Sequence, residues 1–260
     1  VMALSAGDRV AVIGGFERMG VCTLQGLVQS SYKAVMQSPE GFSEEIKVKW
    51  PIDGQGGTMP KGVQYSNDFP MCPGAIIALE TPAEASDIAG ILNFMQDKGL
   101  KKVVFLSRAG VERKDDLLIK FNPFLKIDKW FNAEEQIKAS AAEYGFDYTI
   151  VRTGPLEGGP FFDSNREFAS ALEGSLFDVE AKCMELSVAD KLDAKTGRDL
   201  ASQALIQGLS RDVPVFSVVG AKSGPLTCSV MNHMNCQSGT KERKVFTPTP
   251  EEWDAAFAQA

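Results

Sequence analysis

The sequence VAVIGGFERMG at positions 10–20 resembles a turn that binds phosphate, with two glycines and a glutamate at its three key positions. Gly14 and Gly20 fill the first and third positions of a G-x-x-G-x-x-G turn. Such a turn leads from a buried strand into a helix whose backbone N–H groups bind the phosphates of a dinucleotide. The middle position holds Glu17, which adds a side chain and a negative charge where those phosphates would lie. The stretch has two interpretations: a cofactor site, or a fold-forming turn with weak or no cofactor binding.

The end of the second predicted strand should hold the residue that selects between NAD and NADP. An acidic residue there binds the ribose of NAD, whereas an arginine binds the 2′-phosphate of NADP. The strand KAVMQ ends at Gln37, and its lysine, Lys33, lies at the opposite end. Glutamine can form a hydrogen bond to a ribose but cannot neutralise a phosphate. We therefore expect Glu17 and Gln37 to weaken the binding of NAD(P), and of NADP in particular.

Other catalytic chemistries have little support in the sequence. The single histidine, His233, lies three positions before Cys236, and these two residues supply only two of the four ligands that structural zinc requires. A serine hydrolase triad would need the same histidine and a G-x-S-x-G segment, which the chain lacks. The sequence therefore predicts no metal site and no hydrolase triad.

Composition excludes several classes of partner. The 260 residues are 44% hydrophobic and 23% charged, with a net charge of −7, so binding to nucleic acid through phosphate neutralisation is disfavoured. No run approaches the ~20 apolar residues that span a bilayer, which leaves peripheral docking as the form of membrane association to expect. The five cysteines form no C-x-x-C pair, and their odd number predicts a reducing compartment.

Strands and helices are predicted to alternate along the chain. Helices are predicted over 81–99, 132–145 and the segment GRDLASQALIQGL, and a final helix begins with a capping box from Thr249 to Glu252. In the first of these, Thr81 is the predicted N-cap. Strands are predicted in RVAVIGG, KAVMQ, IKVKW, KKVVFLS, FDYTIVRTG and PVFSVVG. This alternation predicts an α/β fold with a doubly wound parallel sheet, a single Rossmann-like domain over 1–260 with loop insertions at 51–74 and 221–245.

Four segments resemble the atypical short-chain dehydrogenase/reductase family, an NAD(P)-binding Rossmann type common in plastids and cyanobacteria. They are VAVIGGFERMG, KKVVFLSRAGVER, NAEEQIKASAAEYGFDYTIVRTGPLEGGP and GRDLASQALIQGL, in family order and over roughly half the chain. The resemblance implies a cofactor at the carboxyl ends of the strands. It also implies a set of cofactor-binding positions: Gly14, Gly15, Phe16, Met19, Gly20, Gln37 and Ser107.

The residues that the resemblance implies for catalysis are absent. Active members of the family use a Tyr-x-x-x-Lys pair beside a strand-end serine, and none of the four tyrosines here has a lysine four positions on. The matching helix segment places either Lys126 and Trp130 or Leu125 and Lys129 at the two positions. Ser107 matches the serine, but the sequence gives it no base, so we expect an ordinary hydrogen-bonded strand-end serine and no catalytic residue. The segment FFDSNREF at 161–168 falls where relatives build the substrate pocket, although core packing explains its aromatic residues equally well.

Two functions follow as hypotheses. The first is a non-catalytic Rossmann protein that serves as a scaffold, accessory or assembly subunit of a larger complex, with the two insertions as docking surfaces. The plastid members of the family make the stroma or thylakoid surface the expected location and a photosynthetic membrane complex the expected partner. The alternative is an NAD(P)H-dependent oxidoreductase that works without the usual tyrosine, because hydride transfer is the chemistry of the cofactor.

Overall fold

A mostly parallel sheet of eight strands forms the centre of the molecule. The computed structural model describes residues 3–37, 47–49, 56–58, 60–120, 122, 125–157, 183–192, 194–221, 231–234, 243–246 and 248–260. The sheet has the order β10-β12-β8-β7-β6-β1-β2-β5, and β10 alone in it runs antiparallel to its neighbour. The strands are β1 Arg9–Ile13, β2 Lys33–Gln37, β3 Lys47–Lys49, β4 Gly56–Thr58, β5 Gln64–Ser66, β6 Gly74–Ile77, β7 Lys102–Arg108, β8 Asp147–Thr153, β9 Leu156–Glu157, β10 Cys183–Ser187, β11 Thr196–Gly197, β12 Val215–Ala221, β13 Met231–Met234 and β14 Arg243–Phe246.

Helices cover both faces of the sheet. They are α1 Arg18–Gln29, α2 Ala85–Gln96, α3 Leu117–Lys120, α4 Ile127–Tyr144, α5 Arg198–Ser210 and α6 Pro250–Gln259. Alternate residues of each strand point to opposite faces, so Val104 and Leu106 of β7 pack in one core with α1, α5 and α6. Val103 and Phe105 pack in the other core with α2 and α4. The predicted doubly wound Rossmann-like α/β fold is therefore confirmed.

The start of α2 differs from the prediction. The helix begins at Ala85, and Glu84 rather than Thr81 is its N-cap, with an extended backbone and no side-chain cap hydrogen bond. The reason lies in tertiary contacts. Glu80 is held by hydrogen bonds to α1 and α5, so the residues that follow it form the connection from β6, and α2 begins only after them. The local capping signal is outweighed by those contacts. The capping box of Thr249 and Glu252 at the start of α6 is confirmed.

Both segments predicted as loop insertions contain short strands among their described residues. Within 51–74, β4 pairs with β3, and β5 extends the main sheet beside β2. Within 221–245, β13 pairs with β14, and His233 lies opposite Lys244 in that hairpin. Period-two patterns of three or four residues are too short to be recognised in sequence segments rich in glycine, proline and polar residues.

Candidate functional site

The glycine-rich turn closes tightly between β1 and α1. Gly14 has a φ of +85°, in the region that favours glycine. A Cβ on Gly20 would lie 1.9 Å from the carbonyl oxygen of Gly14, so the first turn of the helix packs directly on the turn that precedes it. Glu17 is the N-cap of α1, and its backbone N–H donates to Gly14 O at 2.9 Å. These glycines are needed for the backbone itself, with or without a cofactor.

Replacing Gly20 tests this close approach. Gly20→Ala forces a backbone shift, because the new methyl group meets a main-chain atom, and we expect a loss of about 2–3 kcal/mol in the free energy of unfolding. Gly90 is the matched control, since it lies in α2 with no atom within 4 Å of an added Cβ. Gly90→Ala should stabilise the protein by about 0.5–1 kcal/mol. Urea denaturation of both variants measures the difference, and equal effects would contradict the packing described.

The carboxylate of Glu80 lies at the N-terminus of α1. The backbone N–H of Met19 donates to Glu80 Oε1 at 2.8 Å. In this fold the N–H groups at this helix N-terminus bind the pyrophosphate of a dinucleotide. Glu80 follows β6, the strand next to β1 in the sheet, so its side chain reaches the turn from the neighbouring strand. The chain thus supplies its own anion at the phosphate position.

Arg198 holds that carboxylate in place. Its Nε donates to Glu80 Oε1 at 2.9 Å and its Nη2 to Glu80 Oε2 at 2.7 Å. The side chains are 7% and 18% exposed, respectively, so this bidentate pair is largely shielded from water. Arg198 is the first residue of α5, which packs beside α1. The hydrogen bonds of Glu80 therefore connect two helix N-termini on one face of the sheet.

The carboxylate of Glu17 stabilises the same connection. Its Oε2 accepts a hydrogen bond from the backbone N–H of Glu80 at 2.7 Å. Burial raises the pKa of the Glu17 carboxyl above its ordinary value; that hydrogen bond opposes the increase and the nearby Glu80 carboxylate adds to it. Two acidic side chains thus lie where a dinucleotide would bring two further negative charges.

A pH-dependent contribution to stability comes from Asp199, next to Arg198. Burial raises the pKa of the Asp199 carboxyl from 3.8 to about 7, although the Arg198 guanidinium acts in the opposite direction. The folded state therefore binds this proton more tightly than the unfolded state, and stability falls as the pH rises from about 4 to about 7. Asp199→Asn should make the protein more stable by ~1 kcal/mol or more at pH 8, with the gain disappearing toward pH 4. Urea denaturation across this range measures the gain, and a gain independent of pH would contradict the assignment.

A cavity of about 250 Å³ opens at the carboxyl ends of β6, β7 and β8. Glu80 and Arg198 form part of its wall, so the ion pair lies between the cavity and the N-terminus of α1. The other lining residues come from the ends of the strands, from α4 and from β9 and the residues before it: Leu79, Leu106, Ser107, Arg108, Trp130, Thr153, Gly154, Pro155 and Leu156.

A buried ion-pair network fixes Ser107 at the edge of this cavity. Ser107 Oγ donates to Glu134 Oε1 at 2.6 Å, and Arg152 binds the same carboxylate through Nε at 2.9 Å and Nη2 at 2.7 Å. The three side chains are 1–2% exposed. Arg152 Nη1 also donates to Glu112 at 2.6 Å, and these hydrogen bonds hold the pKa of Glu112 below its ordinary value. The Glu134 carboxylate thus binds both Arg152 and Ser107, and Ser107 serves as a hydrogen-bonded strand-end residue.

The remaining predicted cofactor-binding positions lie apart from one another near the carboxyl ends of the strands. Gly15 packs against Met36, since an added Cβ would lie 2.6 Å from its sulfur, and Phe16 is 39% exposed. Gln37 is exposed at the end of β2 and donates to Asn67 O at 3.3 Å. Of the four positions considered for the missing catalytic pair, Trp130 alone is among the lining residues described. All four tyrosines lie within the described residues, and none of them lines the cavity.

Some predicted features lie outside this site. Residues 161–168 fall outside the described part of the chain, as do Cys228 and Cys236. Within the described ranges, no group of three or more His, Cys, Asp or Glu side chains is arranged to hold a metal ion. None of the helices described is both long and apolar enough to cross a membrane. Glu80, Glu134 and Arg198 are the residues that the sequence analysis missed.

The arrangement does not fit a dinucleotide as it stands. The phosphates would require the Met19 N–H that Glu80 occupies, and they would face the carboxylates of Glu17 and Glu80. The exposed Gln37 carries no positive charge for a 2′-phosphate. Binding would require the Glu80 side chain to leave both Met19 and Arg198.

Comparison with known proteins identifies the fold. The structure is similar to a wide-type short-chain dehydrogenase/reductase from Veillonella parvula in complex with NADP (TM-score 0.53, 14% identity, 84% of this chain and 99% of that chain covered). It is also similar to a protein described as an NAD-dependent epimerase/dehydratase from Bacillus halodurans (TM-score 0.53, 14% identity, 84% and 96% covered). A third similar structure is ChuY, an anaerobilin reductase from Escherichia coli O157:H7 (TM-score 0.54, 12% identity, 84% and 100% covered). The structural neighbours are thus Rossmann-fold NAD(P)-dependent epimerase/dehydratases and oxidoreductases of the short-chain type.

Searches by sequence give no comparable likeness. No protein-family model matches the chain, and no curated protein matches it.

Proposed function

We propose that this chain is a non-catalytic Rossmann-fold protein, an accessory or assembly subunit of a larger complex, whose dinucleotide site is closed by its own side chains. The observation that carries the proposal is the Glu80 carboxylate, which accepts the Met19 N–H and is bound in bidentate fashion by Arg198. A phosphate would have to displace a charge-assisted pair that is already made and largely shielded from water.

The absent catalytic pair supports the same proposal. Trp130, which matches the lysine position of the pair, lines the cavity with Ser107, and an indole carries no positive charge that could lower the pKa of a phenol for proton transfer. The four tyrosines lie elsewhere in the described fold. A closed phosphate site and a missing proton donor are both changes expected when the fold is kept and the reaction is lost.

A titration with NADPH and with NADH, followed by nicotinamide fluorescence, tests the proposal. We expect no binding at about 1 mM of either dinucleotide. Micromolar binding together with substrate-dependent oxidation would overturn it. Purification from the native source tests the partner separately: we expect the chain to travel in an assembly, and a photosynthetic membrane complex of the plastid is the first to examine. Recovery of the chain as an isolated species would contradict the accessory role.

The second candidate is an NAD(P)H-dependent oxidoreductase of the atypical short-chain type. The fold shared with a short-chain dehydrogenase/reductase in complex with NADP, and the cavity at the carboxyl ends of the strands, favour it. This function requires Glu80 to move out of the site when the dinucleotide binds. The same titration separates the two candidates.

A further inference from the structure

Arg108 brings a positive charge to the cavity that no described carboxylate neutralises. It is the last residue of β7 and lines the cavity, half-buried. Arg198, the other arginine of the lining, is bound by Glu80 through two hydrogen bonds. No hydrogen bond or ion pair links the Arg108 guanidinium to a carboxylate among the described residues, and burial alone lowers its pKa. The charged lining of Glu80, Arg108 and Arg198 therefore has one positive charge in excess, in a chain whose net charge is −7.

The remainder of the lining mixes apolar side chains with hydroxyl and backbone polar groups. The Trp130 indole comes from α4, and leucine and proline side chains come from the ends of β6 and β7 and from β9 and the residue before it. Thr153 and Ser107 add hydroxyl groups, and both hydroxyls already donate to described acceptors. The volume of about 250 Å³ lies just below the range of ~300–1,000 Å³ that is typical of ligand pockets. The cavity thus combines one excess positive charge, a wall of mixed polarity and room for a small molecule.

We propose that this cavity binds a small organic carboxylate, with the carboxylate against Arg108. A guanidinium forms two parallel hydrogen bonds with a carboxylate, and this pairing is stronger where water is partly excluded. The inference goes beyond the proposed function and does not depend on whether the dinucleotide site is closed.

Calorimetric titration of the whole protein with benzoate tests the proposal, with benzamide as the neutral probe of the same shape. We expect benzoate to bind with a Kd of about 1 mM or tighter, which is attainable for a ligand of this size. Benzamide should bind at least tenfold more weakly. Arg108→Gln should weaken benzoate binding by about tenfold or more, while Arg108→Lys should retain part of the affinity because it keeps the charge.

Arg9→Gln is the matched control. Arg9 is exposed at the amino end of β1, whereas the cavity lies at the carboxyl ends of the strands. It should leave benzoate binding unchanged. Equal binding of benzoate and benzamide, undiminished binding to folded Arg108→Gln, or no heat at ~20 mM benzoate would each overturn the inference. Micromolar NADPH binding with substrate-dependent oxidation would overturn the proposed function and leave this result unaffected, so the two failures are distinguishable.

Discussion

Arg152→Met should destabilise the protein by about 3–5 kcal/mol, the cost typical of removing one partner from a buried ion pair. The substitution leaves the Glu134 carboxylate, 1% exposed, without its guanidinium and with only Ser107 as a described hydrogen-bond donor. It also removes the link from β8 to Glu112. Urea denaturation at neutral pH measures the loss as a shift of the unfolding midpoint.

Two controls separate the ion pair from general effects of substitution. Lys138→Met breaks an exposed pair with Glu135 on the same helix, and we expect a change below about 1 kcal/mol. The double variant Glu134→Leu/Arg152→Met removes both buried charges and should recover most of the stability. A small loss for Arg152→Met, or a double variant less stable than either single one, would contradict the description of this network.

Glu80→Ala should open the phosphate site. The variant frees the Met19 N–H and leaves Arg198, 7% exposed, without its carboxylate, so a helix N-terminus and a guanidinium face the same space. Both bind anions, and the repulsion from Glu80 is gone. We expect inorganic pyrophosphate and NADPH to bind at least ~100-fold more tightly than to the unmodified protein, equivalent to about 2.7 kcal/mol. Isothermal titration calorimetry measures the change.

Each of two control variants for Glu80→Ala removes a different carboxylate that lies near Glu80. Glu84→Ala takes away the same charge four positions later, where Glu84 contacts Lys129 at the surface, and should not change pyrophosphate binding. Glu17→Gly restores the missing glycine and removes the acceptor for the Glu80 N–H. We expect it to improve binding by less than Glu80→Ala does, because the Glu80 carboxylate still faces Met19. A larger gain for Glu17→Gly would identify Glu17 as the main obstacle.

Much of the fold can be predicted from the sequence because its signals are local. The buried runs of β1 and β7 contain continuous apolar stretches, which are typical of parallel strands, and α1 keeps its helical spacing. Short strands such as β5 and β10 carry no such signal, because their place in the sheet is decided by pairing with a distant strand. The start of α2 could not be predicted for a similar reason, since tertiary contacts of Glu80 override the capping pattern.

The candidate site was predictable only where it depends on backbone geometry. The glycine turn follows from the residues themselves, and the close approach of Gly14 and Gly20 agrees with it. Glu80 lies 61 positions from Met19 and 118 from Arg198, and no spacing rule connects them. The sequence pattern indicates Glu17 as the charge that disturbs phosphate binding, whereas Glu80 is the residue whose carboxylate accepts the helix N–H. An acidic residue three positions after the short apolar run GAII of β6, which was not among the predicted strands, is the signal that could have indicated it.

Crystals of the unmodified protein grown with ~10 mM NADPH show whether the dinucleotide site is closed. We expect the Glu80 carboxylate to stay on the Met19 N–H and within the two hydrogen bonds of Arg198, with no dinucleotide between β1 and α1. Electron density for NADPH phosphates at Met19, with Glu80 turned away from Arg198, would contradict this expectation.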